Sequence, residues 1–541
     1  MAIVLGENYT VEITGMNHEG SGVARIDGQV VFVKQAMKGE LMVIKVQAKR
    51  KNVYLAEMIK ILQPSSQRVP AFCEVHDSCG GCGLQHLRYV AQLEFKREVL
   101  VNALVRIAKI PDAEERVLPI KGMEQPLYYR NKVLLAAGTQ ESKTVLRFQE
   151  EASHALTSMR CGYLYPAAMQ AVQAGLEQVL QQHAISKEQG LLGVMLRRGS
   201  YSGKIQVVLI ANRPLTAAMP ALLDAIKNIS PAISGICLAM HAENSAADML
   251  SIYRGVQLLW GDFYIQEKIG TKLYRLSPAS FFQINTVQAE ALYEEVKAFA
   301  ALQGHETVVD AYCGTGTIGI YIADKVAKLI GMDVVADAIA DARYNAEQNG
   351  VQAGFYAGKA EVLLPQLAAK GLQADVVIVD PPRKGCDKKF LQALGEVKPQ
   401  KIIYVSCNPA TLARDVQALA AFGYTLQKAR PLDMFAYSYH VESVVLLSHK
   451  RADSFINVKM EYDDDIYRAP DRVTYKLIQE YIEDKYNFKV HTAYIAEVKR
   501  SLGLPMYDAP NAVEELKYPY KPAPEFKVEA IKDALRHFNV I

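Results

Sequence analysis

The stretch Lys401 to Arg414, KIIYVSCNPATLAR, carries the residue best suited to chemistry, Cys407. Ile402, Ile403, Tyr404 and Val405 form a short apolar, β-prone run, and Ser406, Cys407, Asn408 and Pro409 break it. From Ala410 the apolar residues recur at helical spacing. The pattern predicts strand, tight turn, helix, with Cys407 on the turn at the carboxyl end of the strand. Open α/β sheets bind ligands at that edge, and a helix N-terminus favours the thiolate, the nucleophilic form of cysteine. Most free cysteines are simply small buried hydrophobes, so the reading of Cys407 depends on its surroundings.

Those surroundings repeat one arrangement. ETVVDAYCGTGTIGIYIA reads as strand, glycine turn, helix, with Gly314, Gly316 and Gly319 in a GxGxxG. Glycines there let the backbone approach a ligand at a helix N-terminus, a pattern that NAD and FAD sites share. Asp310 precedes the glycines, and the next strand, KLIGMDVV, ends at Asp333, placed for the two hydroxyls of a ribose. A further strand, ADVVIVD, ends in Asp380-Pro381-Pro382-Arg383-Lys384-Gly385. An acid followed by two prolines at that position points to methyl transfer onto a nucleobase from S-adenosylmethionine (SAM), not to a dehydrogenase. A helix N-cap is the alternative for Asp380. Glu442, in HVESVVLL, has apolar neighbours, and burial would raise its proton affinity. Its alternative is a strand-edge carboxylate in a salt bridge. Cys313 and Cys386 border the same region and read as packing residues.

The chain has eight cysteines. Cys73, Cys79 and Cys82 are separated by five and two residues with glycines at the bend, and can fold around one metal centre. Cys161 is the nearest later cysteine for a fourth ligand. Zinc and an iron–sulfur cluster both fit cysteine-only ligation, and His76 and His86 keep a mixed zinc site open.

These residues need several domains, as 541 residues allow. Residues 1–62 alternate with period two and turn at His18–Gly22, Asp27–Gly28 and Lys38–Gly39, which predicts about five strands in a small OB-like barrel over residues 1–64. Lys34, Lys38, Lys45, Lys49, Arg50 and Lys51 could meet phosphates there. Residues 65–275 read as a central α+β domain. It has a helix near 90–110, strands over 128–137, 144–149, 191–199, 204–212 and 233–242, and helices near 166–183 and 217–228. Residues 276–452 read as alternating strands and helices, a Rossmann-like α/β domain. Residues 453–541 read as a helical extension of three amphipathic helices, with Asp463, Asp464 and Asp465 as a linker. The first two helices could form a helix-turn-helix-like module, or all three a small bundle.

Half of the residues are hydrophobic and 22% are charged, a globular composition. No apolar run reaches the roughly 18–20 residues of a membrane span. The N-terminus lacks a basic segment before an apolar core, so no signal peptide is expected and the cytoplasm is the default location. A net charge of +3 argues little by itself for nucleic acid.

Taken together, Asp310 with AYCGTGTIG, Asp380 with PPRKG, Ser406 with CNPATLARD and His440 with VESVVLL resemble the RNA uracil-5-methyltransferases. HEGSGVARIDGQVVFV resembles the TRAM domain, an RNA-binding barrel. With barrel and cysteines, the likeness is nearest to the bacterial 23S ribosomal RNA branch. The resemblance covers about residues 5–450. It implies a class I fold with a mostly parallel seven-stranded sheet, Cys407 as nucleophile and Glu442 as base. It also implies SAM contacts from Gln283, Tyr312, Asp333, Asp380, Gly314 and Gly316. Cys73, Cys79, Cys82 and Cys161 would carry a 4Fe–4S cluster, and ribosomal RNA would be the partner of a monomeric enzyme. FAYSYHVE replaces the family's usual Phe-Pro-x-Thr stretch before the final His-Val-Glu, and Asp333 stands where Glu is common. Two other functions remain open on the residues alone. One is a methyltransferase acting on an exocyclic base nitrogen without a thiolate. The other is a non-enzymatic RNA-binding protein.

Overall fold

A computed structural model describes residues 3–151, 153–215, 218–241, 255–449, 474–504, 522–538 and 540–541. The chain divides into two compact units, Met1–Asp453 and Ser454–Ile541.

The alternating N-terminal residues form β1 (Asn8–Glu12), β2 (Gly15–Met16), β3 (Gly22–Ile26), β4 (Gln29–Val33), β5 (Leu41–Arg50) and β6 (Val53–Gln63). Every second side chain faces inward, so Val11, Val31, Val33, Met42, Ile44 and Val46 share one core. The sheet runs β1-β5-β6-β4-β3-β2. Its two edges are consecutive in the chain: Ile13 is buried at the bend between them, and the Thr14 N–H donates to the Val23 carbonyl at 2.9 Å. The sheet thereby closes on itself. There are six strands rather than about five. The run from Glu40 to Leu62 is a hairpin, because Lys51 takes a left-handed φ of 52° and lets Arg50 pair with Val53.

The cysteine-bearing segment leads into α1 (Tyr89–Arg106) and the short α2 (Ala113–Arg116). Leu100 and Leu104 of α1 are fully buried in the core of the later Rossmann-like sheet. At roughly 1.5–3 kcal/mol each, they tie the cysteine segment to that sheet.

A second sheet contains β7 (Lys132–Gln140), β8 (Lys143–Arg147), β9 (Leu191–Arg198), β10 (Ile205–Ala211), β11 (Ile233–Met240) and β12 (Val256–Gly261), in the order β12-β11-β10-β9-β7-β8. Helices α3 (Ala167–Gln182) and α4 (Met219–Lys227) cover it through Val172, Leu176, Leu222 and Ile226. The strand expected from residue 128 begins at Lys132. Before it, the N–H groups of Tyr128 and Arg130 donate to the carbonyls of Tyr163 and Leu164, outside the sheet. Cys237 is buried in β11, as its apolar run implied. Strand β12 and the hairpin β13 (Ile265–Ile269) and β14 (Lys272–Leu276) were not anticipated.

After α5 (Thr286–Ala300) comes the Rossmann-like sheet. Its strands are β15 (Thr307–Ala311), β16 (Lys328–Asp333), β17 (Ala353–Ala357), β18 (Val376–Val379), β19 (Lys401–Ser406), β20 (Tyr424–Leu432) and β21 (Glu442–His449). The order is β17-β16-β15-β18-β19-β21-β20, with β21 antiparallel to β19 and the central pairs parallel. Side chains alternate between two cores. Val309, Val377, Ile402 and Tyr404 meet α1, α8 (Ala360–Ala369), α9 (Lys388–Val397) and α10 (Pro409–Ala420). Val308, Val376, Ile403 and Val405 meet α5, α6 (Thr317–Ile322) and α7 (Ala336–Gln348). Helices on both faces force the strands to be apolar throughout, which is why these runs read so clearly.

In the second unit, α11 (Tyr475–Tyr486), α12 (Thr492–Ser501) and α13 (Glu525–His537) pack around Ile478, Ile482, Ile495, Val498, Ile531 and Leu535. Asp463, Asp464 and Asp465 lie outside the described residues. Among the described residues no helix is long and apolar enough to cross a membrane.

Candidate active site

Cys407 immediately follows β19, and Glu442 opens β21. Ser406 pairs with Ser443 across the antiparallel ladder, so one step further along brings Cys407 and Glu442 face to face. Asp380 follows β18, the neighbour of β19 on its other side. Three side chains thus meet at the carboxyl edge of β18 and β19, beside the β15–β18 switch point where the strand order reverses and leaves a crevice.

Their electrostatics are those of crowded, dehydrated acids. Glu442 is 2% exposed, and burial and then the Asp380 charge push its carboxyl well above the usual range. Burial raises Asp380 to about 7. No ion pair among the described residues engages Glu442, and α9 is capped by Asp387, not Asp380, so neither of the plainer readings of these acids holds. Cys407 corrects the expectation that a helix N-terminus would favour its thiolate. Burial, then Glu442 and Asp380, push the thiol up to about 11, with Arg383 opposing them. The helix end is already capped by Asn408, whose side chain accepts from the Ala410 N–H at 3.1 Å.

The two loops that carry these groups are locked together. The Arg383 carbonyl accepts from Asn408 Nδ2 and Thr411 Oγ1. Asp415 of α10, fully buried, accepts from the Cys386 N–H at 2.8 Å and from the Tyr404 hydroxyl at 2.7 Å. Gly385 takes a φ of +77°, and a Cβ there would meet Asp415 Oδ2 at 2.6 Å. Asp415 was not singled out from the sequence, although it shares the apolar face of Leu412, Val416 and Leu419, and an acid on such a face was the available signal.

The glycine turn sits two strands away. Asp333 Oδ2 accepts from the Gly314 N–H at 3.0 Å and Oδ1 from the Val335 N–H at 2.8 Å. Gly316 has a φ of +79°, and a Cβ there would meet Ile320 at 2.9 Å. Nothing lies within 4 Å of a Cβ built on Gly314. This open floor beside a pinned carboxylate fits a nucleoside cofactor. Asp310 is buried, accepts from the Gly319 N–H at 2.9 Å through Oδ2, leaves Oδ1 unpartnered, and is raised by burial to about 7. Tyr312 turns the chain with a φ of 64° and packs its ring edge-on against Phe390, centroids 5.3 Å apart. Gln283 is buried, with its carbonyl accepting from Asn131 Nδ2 at 2.9 Å. Cys313 and Cys386 are both buried, as packing residues should be.

The loop before Glu442 is held from the N-terminal side. Lys96 and Asp433 form a fully buried ion pair, Tyr89 donates its hydroxyl to Asp433 at 2.7 Å, and Lys96 donates to the Phe435 carbonyl at 2.9 Å. The Leu84 N–H donates to the Tyr437 carbonyl at 2.8 Å, and Phe72 packs edge-on to Tyr437. The unusual FAYSYH stretch is therefore the seat on which the cysteine segment rests.

Cys73, Cys79, Cys82 and Cys161 line one enclosed cavity. Burial pushes Cys82 up to about 12 and raises Cys79 and Cys161 as well. Among the described residues no group of three or more His, Cys, Asp or Glu side chains is arranged to hold a metal ion. His76 uses Nδ1 on the Cys82 carbonyl at 3.0 Å.

Comparison with known proteins agrees with this geometry. Residues 358–450 match the family described as tRNA (Uracil-5-)-methyltransferase, residues 4–59 the TRAM domain and residues 308–396 a methyltransferase domain. An uncharacterized RNA methyltransferase of Clostridium tetani is 36% identical over 82% of this chain and 96% of its own length. One of Caldanaerobacter subterraneus is 37% identical over 82% of this chain and 99% of its own. Among solved structures, the Pyrococcus abyssi tRNA (uracil-54, C5)-methyltransferase in complex with S-adenosyl-L-homocysteine is 27% identical. It superposes with a TM-score of 0.64 over 81% of this chain and all of that one.

Proposed function

Because this chain belongs to the RNA uracil-5-methyltransferase family, we propose that it forms 5-methyluridine in 23S ribosomal RNA, with Cys407 as nucleophile and Glu442 as base. The observation that carries this reading is the place of Cys407 and Glu442 one step beyond the Ser406–Ser443 pair of the β19–β21 ladder, near enough for the Glu442 charge to raise the Cys407 thiol. Carbon 5 of uracil is a poor nucleophile. The Cys407 thiolate adds to carbon 6 and makes the ring an enolate, and carbon 5 then takes the methyl group of SAM, leaving the neutral sulfide. Glu442 removes the carbon 5 proton, and elimination returns the thiolate. Covalent catalysis of this kind divides one hard step into easier ones. The target base must leave its stack to reach the thiol.

The crowded acids suit this sequence. A sulfonium beside Cys407, Asp380 and Glu442 supplies the positive charge that favours thiolate and carboxylates. Once the methyl has moved, that charge is gone, and Glu442 gains proton affinity at the step where it must accept a proton. Asp333 and the Gly314 floor hold the nucleoside of SAM, with Gly316, Gln283, Tyr312 and Asp380 completing the pocket.

Cys73, Cys79, Cys82 and Cys161 are the residues that would hold a 4Fe–4S cluster. All four line one cavity, and an all-cysteine set is the donor set such a cluster takes. The cluster would act as a covalent staple for the segment that supports Tyr437, since methyl transfer needs no electron.

The ribosomal reading rests on the barrel and the four cysteines together. A transfer-RNA substrate is the second reading, favoured by the likeness to the Pyrococcus abyssi enzyme. The protein acts as a monomer in the cytoplasm. Offering the enzyme labelled SAM with unmethylated 23S rRNA and unmethylated tRNA in parallel tests this. Label in 5-methyluridine of 23S rRNA is expected. Label confined to tRNA would replace the substrate, and label on adenine or cytosine would overturn the reaction.

A further inference from the structure

A second recess lies where the barrel, the segment after it and the cysteine loop meet, away from the carboxyl edge of the Rossmann-like sheet. It has a volume of about 330 Å³ and is lined by Gln35, Arg68, Val69, Pro70, Ala71, His76, Asp77 and His86. That volume is at the lower end of small-molecule sites, roughly 300–1,000 Å³.

Its walls are built, not incidental. Arg68 is fixed by Glu40, fully buried, through Nε to Oε1 at 2.5 Å and Nη2 to Oε2 at 2.8 Å, and it also donates to the Gln35 carbonyl at 2.7 Å. Gln35 Nε2 donates to Asp77 Oδ1 at 2.8 Å, and Lys34 Nζ donates to the Asp77 carbonyl at 3.2 Å, so barrel and loop are bound to each other across the recess.

The two histidines are the unexplained feature. His76 and His86 are 7% and 3% exposed, with rings 5.9 Å apart. The Cys82 carbonyl can only accept, so Nδ1 of His76 carries its proton, and Nε2 is left with a lone pair and no partner. His86 has no partner at either ring nitrogen. Burial, then Arg68 and His76, push His86 down to about 3, so it is a neutral ring with one donor and one acceptor. Leaving buried polar atoms without partners is destabilising, and such atoms call for a group that supplies the missing bonds.

The set of groups describes that ligand. It lies flat along Val69, Pro70 and Ala71 and bears donors and acceptors side by side on one edge. We propose that this recess is a subsite for one unpaired nucleobase of the RNA substrate, read by His76 and His86 and stacked on the Val69–Ala71 wall. The inference rests on the RNA-methyltransferase reading for the identity of the polymer. It gives the cysteine segment a part in recognition as well as in bracing Tyr437.

The test uses the full-length protein and unmethylated 23S rRNA, with binding and ultraviolet crosslinking read without methyl transfer. Ala71→Trp fills the recess from its exposed rim and spares every buried group, while His86→Phe keeps the ring and removes both nitrogens. In the wild type, a nucleotide crosslinked to the Arg68–Asp77 segment or to His86 is expected. Each variant should weaken RNA binding about tenfold, the equivalent of one or two hydrogen bonds, and lose that crosslink, with SAM affinity unmoved. Crosslinks elsewhere together with unchanged RNA affinity in Ala71→Trp would mean that the recess holds only water, and would overturn the proposal. A wild type that crosslinks here yet transfers no methyl group would sink the reaction proposed above and leave this subsite standing.

Discussion

Cys407 rests as a neutral thiol between two acids, and that fixes how its reactivity depends on pH. With its thiol pushed up to about 11, the thiolate fraction rises about tenfold per pH unit through the neutral range and beyond pH 10. An ordinary cysteine levels off one to two units earlier. Alkylation of Cys407 by iodoacetamide, followed by peptide mass spectrometry on the free enzyme, should therefore still be climbing at pH 10. Asp380→Asn removes a nearby negative charge, so it should shift the curve to lower pH. A plateau near pH 8 in the wild type would show that the acids do not control the thiol. The sequence announced Cys407, Glu442 and Asp380 by type and by place at strand ends. It could not announce the sign of the thiol's shift, because that depends on how closely β18, β19 and β21 bring three side chains together. The local cue, a helix N-terminus, pointed the opposite way and was outweighed by burial.

At the scale of elements, the seven-stranded sheet was readable because strands buried on both faces are apolar throughout and end in glycines and acids. The short hairpin β13–β14 and the turn at Lys51 were not, since their strands carry charged residues and the turn lacks glycine or proline. The support of the loop before Glu442 was equally hidden. It joins Tyr89 and Lys96 of α1 to Asp433, residues that no local pattern relates. This arrangement makes the cysteine segment a brace for the loop before Glu442. Replacing Cys79 with Ser should loosen residues 433–441 without disturbing the Gly314 turn. Hydrogen exchange would read this as faster exchange in that loop alone, at unchanged SAM affinity. Protection equal to wild type in residues 433–441 would remove the bracing role.

At the scale of the molecule, the chain is a barrel, a cysteine-bearing α+β region and a Rossmann-like sheet in one unit, followed by a second unit with its own core. Ile478, Ile482, Ile495 and Ile531 are buried in that core, so the described helices of this unit have a core of their own. Removing them should leave the melting transition of the remaining chain and its SAM affinity at the wild-type values. A melting temperature several degrees lower in the truncated enzyme would show instead that the first unit depends on the second. The helical periods of the extension were legible in sequence because each apolar stripe is regular, whereas its purpose was not, since packing alone explains those stripes.

If Cys407 bonds to uracil and Glu442 frees it, the covalent intermediate can be trapped by removing the base. Glu442→Gln, incubated with SAM and unmethylated 23S rRNA, should accumulate a denaturant-stable RNA–protein adduct. Nuclease and protease digestion should then yield the peptide containing Cys407 carrying a methylated, ring-saturated uridine. No adduct with Glu442→Gln, or an adduct on any other cysteine, would contradict the account.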